Sequence, residues 1–366
     1  MKLQEIVDKI SERLPIESVS EQDNVGLVVG DYDADCEKIT LAYELNEGVL
    51  RELVESRSNL LVTYHTPLFR PKKSFTTSAS KPDPLFWAAR ASVNVFSVHT
   101  ALDVCKDGLN FDLAARLGLK DVMFLSPLSE KLCKIVVFVP PAHADKVRAA
   151  MSKAGAGAIG NYSDCSFAVD GEGTFTPNAG ASPYIGQAGK FEMVDEVRLE
   201  MMLERALVDR VVDEMLRVHP YEEPAYDIYP LLNEPSDLGI GAIGEIEEPQ
   251  SLGEFTTRVK DTLGLNVIKV SNASDVAIKK VALCVGSGVS FYRNAVRKGA
   301  DIFITGDVRH HDFREAEVQR TILADVTHIG SERFVIDVMW KIFTTVFSDA
   351  VVVATSKCKS ANGISI

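Results

Sequence analysis

The sequence predicts an α/β protein in which one larger α/β domain is assembled from both ends of the chain, with a ferredoxin-like α+β domain inserted between them. Three observations predict it. Short, nearly continuous apolar runs over 60–62, 93–98 and 322–326 alternate with amphipathic segments in both the first and last thirds, as expected for strands buried on both faces. Between them the texture changes, and the order reads β-α-β-β-α-β. At 366 residues and 46% hydrophobic content, the chain is long and apolar enough for two or more cores. The boundaries fall at 1–128, 129–240 and 241–366.

Taken in order, 3–14 is an amphipathic helix that Pro15 terminates. A short strand follows within 22–31, bounded by turns. A strand over 38–45 and a helix over 47–56 lead into the run 60–62, a β-α-β unit expected to cross over right-handed. Pro67 ends that strand. The segment 72–84, rich in Lys, Ser, Thr and Pro, reads as a surface loop able to arch over a site. A helix at 84–91, a strand at 93–98 and a helix at 109–117 complete the first part.

In the insertion, 131–139 is a strand and 142–154 a helix, followed by a Gly-, Ser- and Pro-rich stretch of short strands and turns. Residues 194–201 are strand-like, 207–217 helical and 225–231 a last strand. Residues 238–244, LGIGAIG, read as the return connection. Then come a helix at 252–263, a strand at 280–285, a tight turn at Gly286-Ser287-Gly288 into a helix at 291–298, and a strand at 301–305. A helix at 314–320, a strand at 322–326, a long helix at 331–343 and a strand at 350–354 close the chain.

The net charge of −13 gives no broad basic footprint for nucleic acid and suits cations as partners. The first fourteen residues carry charges throughout and lack a signal peptide's apolar core, and no run has the length of a membrane span. Six cysteines are scattered without CxxC pairs, which points to a reducing cytoplasm and away from disulfides or a thiolate zinc site.

Histidines recur where apolar runs end: Tyr64 and His65 after 60–62, His99 after 93–98 with Asp103 just beyond, and His328 after 322–326 with Glu332 four positions later. Carboxyl ends of strands are where α/β proteins build sites. Distant segments ending in His, Asp and Glu can therefore converge on one ion. Asp307, His310 and His311 follow another strand end in the same half. The Gly286-Ser287-Gly288 turn reads either as a phosphate cradle or as a plain βα turn.

With these residues in view, the chain resembles the Nif-three-like family, often described as GTP cyclohydrolase I type 2 homologues. The matching motifs are DNVGLVVGD at 23–31, HTPLF at 65–69, HTALDV at 99–104, VGSG at 285–288, TGDVRHHD at 305–312 and HIGSE at 328–332. The middle segment looks like the CutA-like or PII-like insertion of a bacterial branch, and HPYEEP at 219–224 is similar to a CutA motif. An interface or turn role is expected for that motif ahead of a second metal site.

The resemblance implies a two-metal site in a ring-shaped homo-oligomer, commonly a hexamer, acting on a small molecule such as a nucleotide. His65, Asp103 and Glu332 match ligands of one ion, and His328 with bridging Glu332 those of the other. Tyr64 stands where the family has a further histidine. Either the second site is weaker, Tyr64 binds as phenolate, or one ion is retained. Zinc leads for such ligands, with manganese or iron as alternatives, one or two per chain. His99 is expected to orient a ligand or transfer a proton, and His311 to line the pocket. Two functions follow: a metal-dependent hydrolase, or a non-catalytic metal protein acting in ion delivery, sensing or regulation.

Overall fold

A computed structural model describes residues 1–19, 23–75, 83–128, 132–231, 238–272, 276–347 and 351–357. The chain divides into two compact units, Met1–Ser126 with Ser236–Ile366, and Pro127–Pro235. Strands are numbered along the chain.

In the first unit, one five-stranded sheet contains β1 (Gly26–Val29), β2 (Lys38–Ala42), β3 (Leu60–Thr63), β4 (Asn94–Ser97) and β15 (Val352–Thr355), in the order β1-β4-β3-β2-β15. All neighbours are parallel except β1, which runs antiparallel to β4. Every residue of β3 and β4 is buried, which is why these two strands are continuous apolar runs in the sequence. The helix Glu47–Glu55, capped where Asn46 accepts from the Val49 N–H at 3.0 Å, packs Val49 and Leu53 against Leu61 and Val95. Helix Pro84–Arg90 adds Leu85 and Ala88 to the same core. Part of the loop expected to arch over the site, 76–82, lies outside the described residues.

A second sheet of the same unit holds β5 (Lys120–Pro127), β10 (Gly239–Gln250), β11 (Lys269–Val270), β12 (Ile278–Leu283), β13 (Ile302–Thr305) and β14 (Ile322–Asp325), in the order β11-β14-β13-β12-β10-β5. Strands β12, β13 and β14 are parallel, and β10 and β11 flank them antiparallel. The segment read as a return connection is thus the start of a twelve-residue strand. The long helix expected from 331 is two pieces instead: a turn of helix at His328–Ser331 and, after a break, Val335–Val346.

The second unit runs β6 (Leu132–Val139), helix Ala144–Lys153, β7 (Ser166–Phe175), β8 (Glu192–Glu204), helix Val208–Val218 and β9 (Tyr226–Pro230), with sheet order β7-β8-β6-β9, antiparallel throughout. Alternate residues of β6 and β8, among them Ile135, Val137, Leu199 and Met201, point to one face and are buried under Val147, Met151, Val211 and Met215 of the helices. Each such aliphatic side chain contributes roughly 1.5–3 kcal/mol of burial.

Candidate metal centre

Six parallel strands from the two sheets of the first unit send their carboxyl ends to one place. Tyr43 follows β2, Tyr64 and His65 follow β3, and His99 follows β4. Gly286 follows β12, Asp307 follows β13, and His328 follows β14. The ladders continue past the strand ends, with His65 N–H donating to Tyr43 O at 2.9 Å, His99 N–H to Tyr64 O at 2.9 Å, and Gly306 N–H to Gly286 O at 2.9 Å. The side chains are therefore held by sheet backbone rather than by free loops.

Glu332 sits at the centre, 2% exposed. Its Oε2 lies 3.2 Å from His65 Nε2 and its Oε1 lies 3.1 Å from His328 Nε2. One donor atom from each of His65, His328 and Glu332 falls within 4.8 Å of the others, and among the described residues no other group of three such side chains does so. The i, i+4 spacing of His328 and Glu332 works because the chain is helical from His328 to Ser331. His328 Nδ1 is 2.7 Å from Asp307 Oδ2, so its Nδ1–H donates to the carboxylate and Nε2 is left to face Glu332.

The backbone around this histidine is strained. Asp307 has φ 55° and Thr327 φ 63°, the latter unusual for a β-branched residue. Gly286 is required at φ 63°, since a Cβ there would come within 2.8 Å of Glu332 Oε1.

Two phenols complete the arrangement. Tyr43 Oη donates to Glu332 Oε2 at 2.5 Å and lies 3.0 Å from His65 Nε2. Tyr64, fully buried, places its Oη 3.0 Å from both oxygens of Asp103 and 3.3 Å from Glu332 Oε1. Burial, and then the Asp103 charge, push the Tyr64 phenol well above its usual range, so it stays neutral and donates. Asp103 is consequently not part of the three-donor cluster, but one phenol away from it. Burial also lifts the Asp103 carboxyl, to about 7, with His99 opposing and Glu332 adding to the rise. Burial works against the Glu332 charge too, but the hydrogen bonds with His328 and His65 outweigh it and hold that carboxyl at about 2. The hydrogen bond to Glu332 raises the His328 imidazole to about 9 against the effect of burial.

His99 joins the rim without entering the cluster. Its ring centroid is 5.0 Å from that of His65 and 5.4 Å from that of Tyr64. Its Nδ1 is 2.5 Å from Asp23 Oδ2, which Thr100 Oγ1 also engages. Burial lowers the His99 pKa, but the Asp23 hydrogen bond overrides it and the net shift is upward.

His311 stands apart, exposed, on an open cleft of about 580 Å³ that Ser287, Asp307, Arg309 and Asp312 also line. Asp307 thus touches both the cleft and His328. The Gly286-Ser287-Gly288 turn does not offer a free phosphate cradle: Gly286 N–H donates to Ser331 Oγ at 2.8 Å and Gly288 N–H to Thr305 Oγ1 at 3.0 Å. Sequence reasoning missed Tyr43. Its one signal, a tyrosine just past an apolar run, is shared with ordinary core residues.

Fold and site define a class, an α/β protein with a His/His/Glu cluster that can hold a metal ion at the carboxyl edges of two sheets. The model of the Duf34/NIF3 (NGG1p interacting factor 3) family matches residues 1–362, and the chain belongs to that family. It is 38% identical over 309 residues to a Halalkalibacterium halodurans protein named GTP cyclohydrolase 1 type 2 homolog, covering 84% of this chain and 83% of that one. A Bacillus subtilis protein of the same name is 34% identical over 330 residues, 90% of this chain and 88% of that one. The crystal structure of a Bacillus cereus protein related to NIF3 aligns with a TM-score of 0.71 at 32% identity, covering 100% and 99% of the two chains. A Staphylococcus aureus structure with a TM-score of 0.78 at 24% identity, covering 100% and 99%, has the same fold. Among the described residues no helix is long and apolar enough to cross a membrane.

Proposed function

We propose that the protein is a metal-dependent hydrolase of a nucleotide or a related small phosphorylated or heterocyclic compound, with one divalent ion held by His65, His328 and Glu332. The observation that carries this reading is the convergence of two imidazole nitrogens and one carboxylate oxygen within 4.8 Å, beside the cleft on which Asp307 and His311 lie. Two nitrogens and one oxygen fit zinc, with manganese or iron as alternatives, and three protein donors leave a coordination position for an outside molecule. When bound, such an ion supplies Lewis acidity.

The chain's own residues supply the rest. Asp307 fixes the His328 tautomer, and Tyr43 fixes the Glu332 carboxylate. His99, oriented by Asp23, is placed to hold or pass a proton at the rim. His311 contributes to the wall of the cleft that receives the substrate. The names of the relatives favour a nucleotide. The family resemblance further supports a homohexameric ring in the cytoplasm, with the second unit as a ferredoxin-like, CutA/PII-like insertion; light scattering checks the hexamer.

Metal-loaded protein assayed against GTP and a panel of phosphoesters tests the proposal. Turnover lost in both His65→Ala and Glu332→Ala is the expected result. A stoichiometrically bound ion without turnover of any compound would instead support a non-catalytic metal protein acting in ion delivery, sensing or regulation. That second reading draws on the Tyr64 phenol, which fills the place between Asp103 and Glu332 where a second ion would need donors.

A further inference from the structure

The HPYEEP motif and the open face of the second unit's sheet are not used by the metal centre. Core packing uses Val137, Val139, Val197 and Leu199, so their neighbours Phe138, Glu196 and Arg198 face away from the helices. On that side lies a cavity of about 550 Å³, half open, walled by Phe138, Phe175, Tyr184 and Tyr221. This is the size and character of a small-molecule site.

The aromatic walls are held in place. His219 is buried; its Nε2 lies 3.0 Å from Phe138 O, and its Nδ1 accepts from Tyr221 N–H at 3.1 Å, so Nε2 carries the proton and one imidazole pins two walls. His143 Nε2 is 3.1 Å from Tyr184 Oη and holds the third. The Tyr221 ring centroid lies 6.2 Å from those of both Phe175 and Tyr184, forming a corner of three rings. The Tyr221 hydroxyl is closed off from solvent, and burial, then the neighbouring Glu196 carboxylate, raise its pKa.

The charge of the lining is one-sided. Glu196, Glu222 and Glu223 border the cavity, and a Cβ at Gly173 would run into the Glu196 carboxylate, so glycine there leaves that side chain room to lie across β7. Among the described residues that line the cavity Arg198 is the one cation, and it is paired with Glu200 at 2.9 Å. An acidic border around aromatic faces attracts a positive charge that is itself partly apolar, because ring faces and carboxylates both favour a cation while the walls reward carbon.

We propose that this cavity binds a small organic cation of the alkylammonium class, enclosed by Phe175, Tyr184 and Tyr221 with Glu196 as counter-charge. Ligand-observed NMR titration of the full chain with choline, against its uncharged isostere 3,3-dimethylbutan-1-ol, is the test. Choline is expected to bind at least about fivefold more tightly than the isostere, and Tyr184→Ala and Glu196→Gln each to weaken it about threefold or more. Tyr184 is 56% exposed, so its truncation leaves the fold intact. Equal binding of the two probes, choline binding indifferent to both substitutions, or no choline binding would each overturn the proposal. If choline fails to bind and Tyr184→Ala lowers the oligomeric state by light scattering, the cavity is filled by another copy of this chain, and the proposal fails in that way.

Discussion

Replacing Tyr64 with histidine probes the feature in which this chain departs from its family's pattern. In the metal-free protein the substitution removes a phenol that donates to Asp103 at 3.0 Å and reaches Glu332 at 3.3 Å. Hydrogen bonds to charged groups contribute about 1.5–3 kcal/mol. The smaller ring leaves roughly 40 Å³ unfilled, about 1 kcal/mol more at ~24 cal/mol per Å³. The metal-free variant should therefore be less stable by about 2.5–4 kcal/mol. Metal reverses much of this, because the introduced imidazole, Asp103 and Glu332 form a second donor set. An ion at about one hundred times its Kd returns about 2.7 kcal/mol. Both tryptophans, Trp87 and Trp340, lie in the first unit, so urea unfolding followed by tryptophan fluorescence reports on that unit alone. Run with chelator and with zinc, it gives the two stabilities, and elemental analysis gives ions per chain. One ion per chain in the native protein and two in Tyr64→His is the expected outcome. An unchanged count would show that the phenol does not limit metal number, and the account of Tyr64 would be wrong.

Two further outcomes follow from the same geometry. Asp307→Asn keeps a residue that tolerates φ 55° but removes the charge beside His328 Nδ1, and metal affinity should fall about 10- to 100-fold with the unfolding curve of the metal-free protein little changed, as measured by chelator competition. The His328 imidazole is held at about 9 by Glu332, so it is protonated at neutral pH and an incoming ion must displace that proton. Affinity should accordingly climb about tenfold per pH unit up to that value and level off above it, and metal uptake at neutral pH that releases no proton into an indicator dye would contradict the arrangement.

How much of this was legible depended on how each residue's environment showed in its neighbours. Strands β3 and β4 were clear because burial on both faces demands unbroken apolar runs. Strand β10 was not, because its glycine-rich start reads as a return connection. The glycines are there for close approach: a Cβ at Gly241 would meet Leu283 O at 2.6 Å, and one at Gly244 would meet Lys120 O at 2.7 Å. Strand β5 begins with exposed Lys120 and Asp121 at the sheet's edge and so carries no core signature in its first half. In the site, the histidines announced themselves by lying just past strand ends. Tyr43 did not, since a tyrosine after an apolar run looks like core, and its partner Glu332 is 289 positions away.

The phenols also explain how a carboxylate so deeply buried keeps its direction. Each oxygen of Glu332 serves one imidazole and one phenol, His65 and Tyr43 on Oε2, His328 and Tyr64 on Oε1. A cation that takes the two imidazole nitrogens removes one partner from each oxygen and leaves the other in place. The carboxylate then neither swings nor loses all its donors when an ion arrives, so little reorganisation opposes binding. Two histidines alone around Glu332 would have left its orientation to the ion. The pair of neutral tyrosines, each seated at the end of a parallel strand, makes the donor set a property of the fold before any metal is present.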